Sequence, residues 1–319
     1  MSKKTVSVVG ATGTQGGSVV RALVKDGSYH VRAITRNPQS DGGKALAKSG
    51  AQVVQADVND YNSLEKAFEG SHVIYALTDF FEPFSKSGHE EAIKIEVQQG
   101  INLANAATAT TSLEHFIWST LPNAKRISNG KHLIPHFESK NEIDDYIKSN
   151  APLFKKTTFL WIAFYAANFR FPMWTPFPIP TSGSGKYIQL QASPPSVPIN
   201  SSGDTEVNVG IFVKSIISQP EKTRGKFVLA DVESMNAGEL LRTWAKAQGK
   251  QAEYIQIDKE AYYGLWPGLA EEMEKMLVFW AEAKEKSWTG EDEILTKDDL
   301  GITGLVTTAE AFAKMKDWN

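Results

Sequence analysis

The stretch "PHFESK" sets His136 and Lys140 four residues apart, which is one face of any helix that carries both. An imidazole titrates near neutral pH and can pass a proton to a reacting group, and an ammonium on the same face favours its neutral form. A structural histidine in a polar pocket wall and a solvated lysine are the competing readings. His132 stands one helical turn before His136, a spacing that can bind zinc, but no third ligand follows at a recognisable interval, so no metal is expected. Upstream, "IWSTLPN" supplies Ser119 and Thr120 after an apolar run.

A second group of residues is suited to holding a charged cofactor. In "VSVVGATGTQGGSVVRALV", residues 6–24, Gly10, Gly13, Gly16 and Gly17 fall between a β-branched run and a helical stretch. Glycines at a strand-to-helix turn let the backbone approach a pyrophosphate. Its charge is met by the free N–H groups and dipole of the helix, so no lysine is needed nearby. The spacing is G-x-x-G-x-x-G rather than G-x-G-x-x-G, and a plain turn with close helix packing is the competing reading.

The end of the second apolar run, "HVRAITRNP", presents Arg36 where a site for NAD would present a carboxylate to the ribose. A guanidinium there suits a 2′-phosphate, so NADP(H) is the expected cofactor. Asp57, after "VVQA", is placed to accept from the adenine amino group with Val58 beside the ring; capping the helix near Tyr61 is its alternative, which Asp60 could also fill. The expected cofactor contacts in the first half are Gly10, Thr12, Gly13, Thr14, Gln15, Gly16, Arg36, Asp57, Val58, Leu77 and Thr78, together with Lys140.

The elements that must position these residues follow from the spacing of short apolar runs: "TVSVVG", "HVRAITR", "AQVVQADV", "HVIYALT", "EHFIWST" and "TTFLWIAFY". Helical stretches separate them, which predicts an α/β fold with a doubly wound parallel sheet. After Tyr165, "FRFPMWTPFPIPTSGSG" and "QASPPSVPINSSGD" read as long loops, and "TEVNVGIFVKSII", "AGELLRTWAKAQG" and "LAEEMEKMLVFWAEAKEK" as helices. Short strands are expected at "KFVLA" and "AEYIQID". The predicted division is a nucleotide-binding domain over 1–165 and a smaller, partly discontinuous α+β region over 166–319, some of it returning to the first domain.

Composition narrows the function classes. With 319 residues, 41% of them hydrophobic, the chain can bury a large core, and a net charge of −3 gives no electrostatic footprint for nucleic acid or an anionic membrane. The chain has no cysteine, which removes disulfides, thiolate metal sites and thiol catalysis. "MSKKTVSVVG" enters a strand without room for a signal peptide. The cytoplasm is the expected location, with the nucleus a second compartment. "TTFLWIAFYAANFRFPMW" carries Asn168 and Arg170 and is too short and polar for a membrane span.

Taken together, "VVGATGTQGGSVV", "ITRNP", "VVQADVND", "FIWSTLPN", "HFESKNEIDDYI" and "AFYAANF" resemble the NmrA-like group of atypical short-chain dehydrogenase/reductases, closely over about the first 170 residues. The resemblance implies a Rossmann domain with NADP(H) in its crevice. It also implies two kinds of member: reductases of small molecules, and regulators that bind dinucleotide and control protein partners. The wider superfamily uses a Ser and a Tyr-x-x-x-Lys pair; here Ser119 and Lys140 match, and His136 stands in the tyrosine position. The proton donor is then His136 or Lys140. Tyr165 and Asn168 fall where the family contacts the nicotinamide.

Phe80, Phe81, Phe84, Phe169, Phe171 and Trp174 are expected on loops above the sheet, lining an apolar substrate pocket or a partner-binding patch. Two functions remain open on these grounds. One is NADPH-dependent reduction of a carbonyl, quinone, enone or imine. The other is a redox sensor acting on a regulatory protein partner, with a homodimer as one assembly.

Overall fold

The computed structural model describes residues 3–180 and 185–316. The six apolar runs become six strands: β1 Lys4–Val8, β2 Tyr29–Thr35, β3 Gln52–Gln55, β4 Val73–Ala76, β5 His115–Thr120 and β6 Thr157–Ile162. Between them run α1 Thr14–Asp26, α2 Asp41–Lys48, α3 Tyr61–Phe68, α4 Phe81–Ala109, α5 Ala124–Ile127 and α6 Pro135–Ser149. Strand Phe227–Ala230 pairs beside β6 and strand Ile294–Leu295 beside that, giving an eight-stranded sheet in which every pairing is parallel. β1 lies between β2 and β4, so the chain winds away from it in both directions. A crevice therefore opens at the carboxyl ends of β1 and β4.

The strands are largely apolar because helices cover both faces, and the two-residue period sorts their side chains into two cores. Phe116, Trp118, Phe159 and Trp161 point to the face that carries α3, α4 and α6; Ile117, Leu160 and Ile162 join Val6, Val8 and Val19 on the other. Helix Thr205–Ser218 returns to that second face, where the amide of Gly210 donates to Ser18 Oγ at 2.9 Å.

Two expectations are corrected. The proline-rich segments contain strands: Phe177–Pro178 pairs antiparallel with Tyr187–Gln191, which pairs in parallel with Ala252–Gln256, and Pro198–Ser201 pairs antiparallel with Glu233–Asn236. Proline is tolerated there because Pro198 opens its strand and Phe177–Pro178 is an edge. Residues 181–184 of the first segment lie outside the described residues. Phe81 and Phe84 stand on the first turns of α4, and Phe80 caps it, so these three are not on a loop. Gly88 interrupts α4 with φ of 77°, a backbone conformation that side chains disfavour, and cuts off its first two turns as a separate segment. Among the described residues no helix is long and apolar enough to cross a membrane.

Candidate active site

A cavity of about 580 Å³ fills the crevice. Its walls are Val9, Gly10, Thr12 and Gly13 after β1, Arg36 after β2, Ala56 and Val58 after β3, and Leu77 and Thr78 after β4, with Glu82 and Lys86 of α4 along one side. The strands end here because the turns that follow them must reverse toward helices. The cavity thus gathers backbone from four separate turns.

The glycine turn has the form a pyrophosphate requires. A Cβ on Gly16 would stand 2.3 Å from the carbonyl oxygen of Gly10 and 2.7 Å from that of Val9, so α1 approaches the turn more closely than any other residue would allow. Ser40 and Asp60 cap α2 and α3 with their side chains. Gly13 caps α1 with none, and no acidic residue stands in its first turn. The first amides of α1 remain free to meet an anion, which is what a dinucleotide presents.

Gln15, in that first turn, ties the glycine turn to β4, β5 and the end of β6. Its Nε2 donates to the Tyr165 hydroxyl, and its Oε1 accepts from the Tyr75 hydroxyl at 2.7 Å and from Ser119 Oγ at 2.8 Å. Burial pushes the Tyr165 phenol up to about 12 and that of Tyr75 well above its ordinary value, against the opposing hydrogen bonds from Gln15 and Ser119 respectively. Both phenols stay neutral. Ser119 is accordingly a partner of Gln15.

α6 carries two further groups, and each is set by a buried carboxylate from another element. Lys140 Nζ lies 2.9 Å from Glu96 Oε1 and donates to Thr78 O at 2.8 Å and Thr78 Oγ1 at 2.6 Å. Ser139 Oγ donates to the other oxygen of Glu96. Two hydrogen bonds to Thr78 and an ion pair with Glu96 thus hold the Lys140 ammonium. One helical turn earlier, Glu272 accepts from His136 Nδ1, and from the His136 amide at 3.0 Å. His89 Nδ1 stands 3.2 Å from the second Glu272 oxygen, in ion-pair range but without the angle of a hydrogen bond. Burial alone would raise the Glu272 carboxyl, yet the His136 ring and amide, with His89, hold it below the ordinary carboxylate range. It is anionic and aimed at the imidazole. The group facing the His136 ring through Nδ1 is therefore a carboxylate, not the expected Lys140 ammonium.

His132 meets Glu282 at 2.8 Å while His136 meets Glu272, so the two histidines face different carboxylates. Among the described residues no group of three or more His, Cys, Asp or Glu is arranged to hold a metal ion. Asp57 accepts from the backbone and side chain of Asn59 at 2.9 and 2.8 Å, and Asp60 caps α3. Asn168 sits in the 3₁₀ turn Ala166–Arg170, where its amide donates to Tyr165 O.

The aromatic set divides, which corrects the expectation of a single lining. Phe169 packs on Trp244 and Phe312 and Trp174 on Phe164, all buried in the core. Phe80 and Phe81 instead face the His136 ring at centroid distances of 6.1 and 5.5 Å, and Phe84 faces His89 at 4.7 Å. Phe171 is exposed.

Glu96, Glu272 and Glu82 are absent from the sequence reading. Helical periodicity held a signal for two of them: Glu96 falls in step with Ala92, Gln99 and Leu103, and Glu272 with Met276 and Phe279, each on an apolar stripe. A carboxylate on such a stripe must find a partner.

Comparison with known proteins agrees with this architecture. The model of the NmrA-like family matches residues 2–308. An NmrA-like family domain-containing protein of Dictyostelium discoideum is 34% identical over 266 residues, covering 82% of this chain and 83% of its own length. The NmrA-like family domain-containing oxidoreductase hkm9 of Aspergillus hancockii is 28% identical, over 80% of this chain and 76% of its own. The crystal structure of NmrA, a negative transcriptional regulator, in complex with NADP superposes with a TM-score of 0.75 at 21% identity, over 98% of this chain and 95% of that one. The chain belongs to the NmrA-like family.

Proposed function

We propose that this member of the NmrA-like family binds NADP(H) across the crevice and reduces an apolar carbonyl, quinone, enone or imine, with His136 as the proton donor. When bound, the reduced nicotinamide supplies the hydride. The observation that carries the reading is the state of the two α6 side chains. Lys140 is tied down by two hydrogen bonds to Thr78 and an ion pair with Glu96, whereas His136 is held through Nδ1 and its Nε2 makes no hydrogen bond among the described residues. The Glu272 carboxylate accepts from Nδ1 and fixes the ring, which leaves Nε2 as the nitrogen that would exchange a proton with the substrate. Lys140 then keeps Thr78 in place at the cavity floor.

The glycine turn and the uncapped start of α1 would hold the pyrophosphate, Arg36 the 2′-phosphate, and Gln15 would keep Tyr165 and Ser119 as a neutral wall. In this reading residues 1–165 hold the dinucleotide. The region 166–319 completes the site through Glu272. The fungal relative named an oxidoreductase and the NADP-bound structural neighbour support it.

A non-catalytic sensor of NADP(H) acting on a protein partner is the second reading. It is favoured by the ion pair between Arg36 and Glu82, which links the cavity to the segment cut off at Gly88. NADPH oxidation followed with quinones, enones, aldehydes and imines separates the two. Turnover that is lost in His136→Phe while NADPH binding persists supports the reductase; tight NADPH binding without turnover of any acceptor moves the protein to the sensor class.

A further inference from the structure

We infer that Glu82 is a specificity-determining residue, an internal carboxylate that competes with the cofactor's 2′-phosphate for Arg36. The inference rests on the reading above that Arg36 faces the 2′ position of the ribose.

Arg36 follows β2 and Glu82 lies in the first turn of α4, and the cavity brings the two together. Arg36 Nη1 stands 2.8 Å from Glu82 Oε1, and Lys86 Nζ lies 3.3 Å from the same oxygen. All three side chains line the cavity. The contact with Glu82 holds Arg36 above its usual range, and the contact with Arg36 holds Glu82 below its own.

A phosphate binds a guanidinium through two parallel N–H···O bonds, and a carboxylate is the group that most closely imitates it. Glu82 therefore occupies the ligand position, and a 2′-phosphate must displace it against the repulsion of two anions. A 2′-hydroxyl makes the opposite demand. It donates to a carboxylate, which is how an acidic residue selects NAD. One side chain thus weakens NADP(H) and assists NAD(H), while Arg36 and Lys86 act in the other direction. The side chains of Arg36 and Glu82 are 58% and 39% exposed, so their attraction is modest and the carboxylate is displaceable.

The test is the ratio of NADPH to NADH affinity, measured by calorimetric titration of the full chain and of Glu82→Gln and Arg36→Ala. Glu82→Gln should raise the preference for NADPH roughly five-fold, the size expected for losing one partly exposed charge contact. NADH binding reports that the variant is folded. A ratio that is unchanged or lower in Glu82→Gln, while Arg36→Ala abolishes the NADPH preference, overturns the inference and leaves the cofactor reading standing. A ratio unchanged in Arg36→Ala overturns that reading and the inference with it.

Discussion

Lys140 and Glu96 form an ion pair at 2.9 Å in which the carboxylate is wholly buried and the ammonium nearly so. Two charges taken out of water are tolerated because each is also hydrogen-bonded, Lys140 to Thr78 and Glu96 to Thr78 and Ser139. This pair anchors α6 to α4 under the cavity floor.

Lys140→Met removes one partner and strands the other. Stability to urea should fall by about 3–5 kcal/mol, the usual consequence of leaving a buried charge unpaired. Adding Glu96→Gln should restore much of it. A loss below ~1 kcal/mol in the single variant would mean that the pair is not formed in solution.

The second buried acid gives a pH signature. Asp144 accepts from Trp118 Nε1 at 2.8 Å and Thr120 Oγ1 at 2.9 Å, and burial pushes it from 3.8 up to about 7, with the Thr120 and Trp118 hydrogen bonds and Lys148 opposing. Between those values the folded chain holds a proton that the unfolded chain has released. Its contribution is complete below the unfolded value and is lost as pH rises toward the folded one, by up to ~1.4 kcal/mol per pH unit. Asp144→Asn should remove this slope, so its stability relative to the parent improves from pH 5 to pH 8. Parallel curves for the two proteins would refute the assignment.

Gly16→Ala places a methyl group 2.3 Å from the Gly10 oxygen. The helix and turn must separate, which withdraws the first amides of α1 from an incoming pyrophosphate. NADPH affinity should weaken by at least about ten-fold, equivalent to 1.4 kcal/mol, and thermal stability should fall as well. Unaltered affinity in calorimetry would remove the glycine turn from the binding site.

Much of this architecture is legible in the sequence, for identifiable reasons. The six runs from "TVSVVG" to "TTFLWIAFY" form strands because parallel strands buried on both faces need largely apolar residues, and Gly10 to Gly16 mark a strand-to-helix turn where backbones touch. What the sequence hides depends on tertiary partners. Glu272 meets His136 across 136 residues, and nothing local distinguishes it from Glu271 beside it, which pairs with Lys275 at the surface. Phe169 and Trp174 look like pocket aromatics because their prolines suggest a loop, but Phe312 and Phe164 cover them from elsewhere in the chain. Arg36 is readable as a phosphate ligand; the carboxylate already against it is not.

His136→Gln tests the central claim most directly. An amide keeps a hydrogen bond to Glu272 but cannot release a proton, so with an accepted acceptor the rate of NADPH oxidation should fall at least ~100-fold while NADPH affinity stays within about two-fold of the parent. An undiminished rate in this variant would contradict the assignment of His136 as the donor.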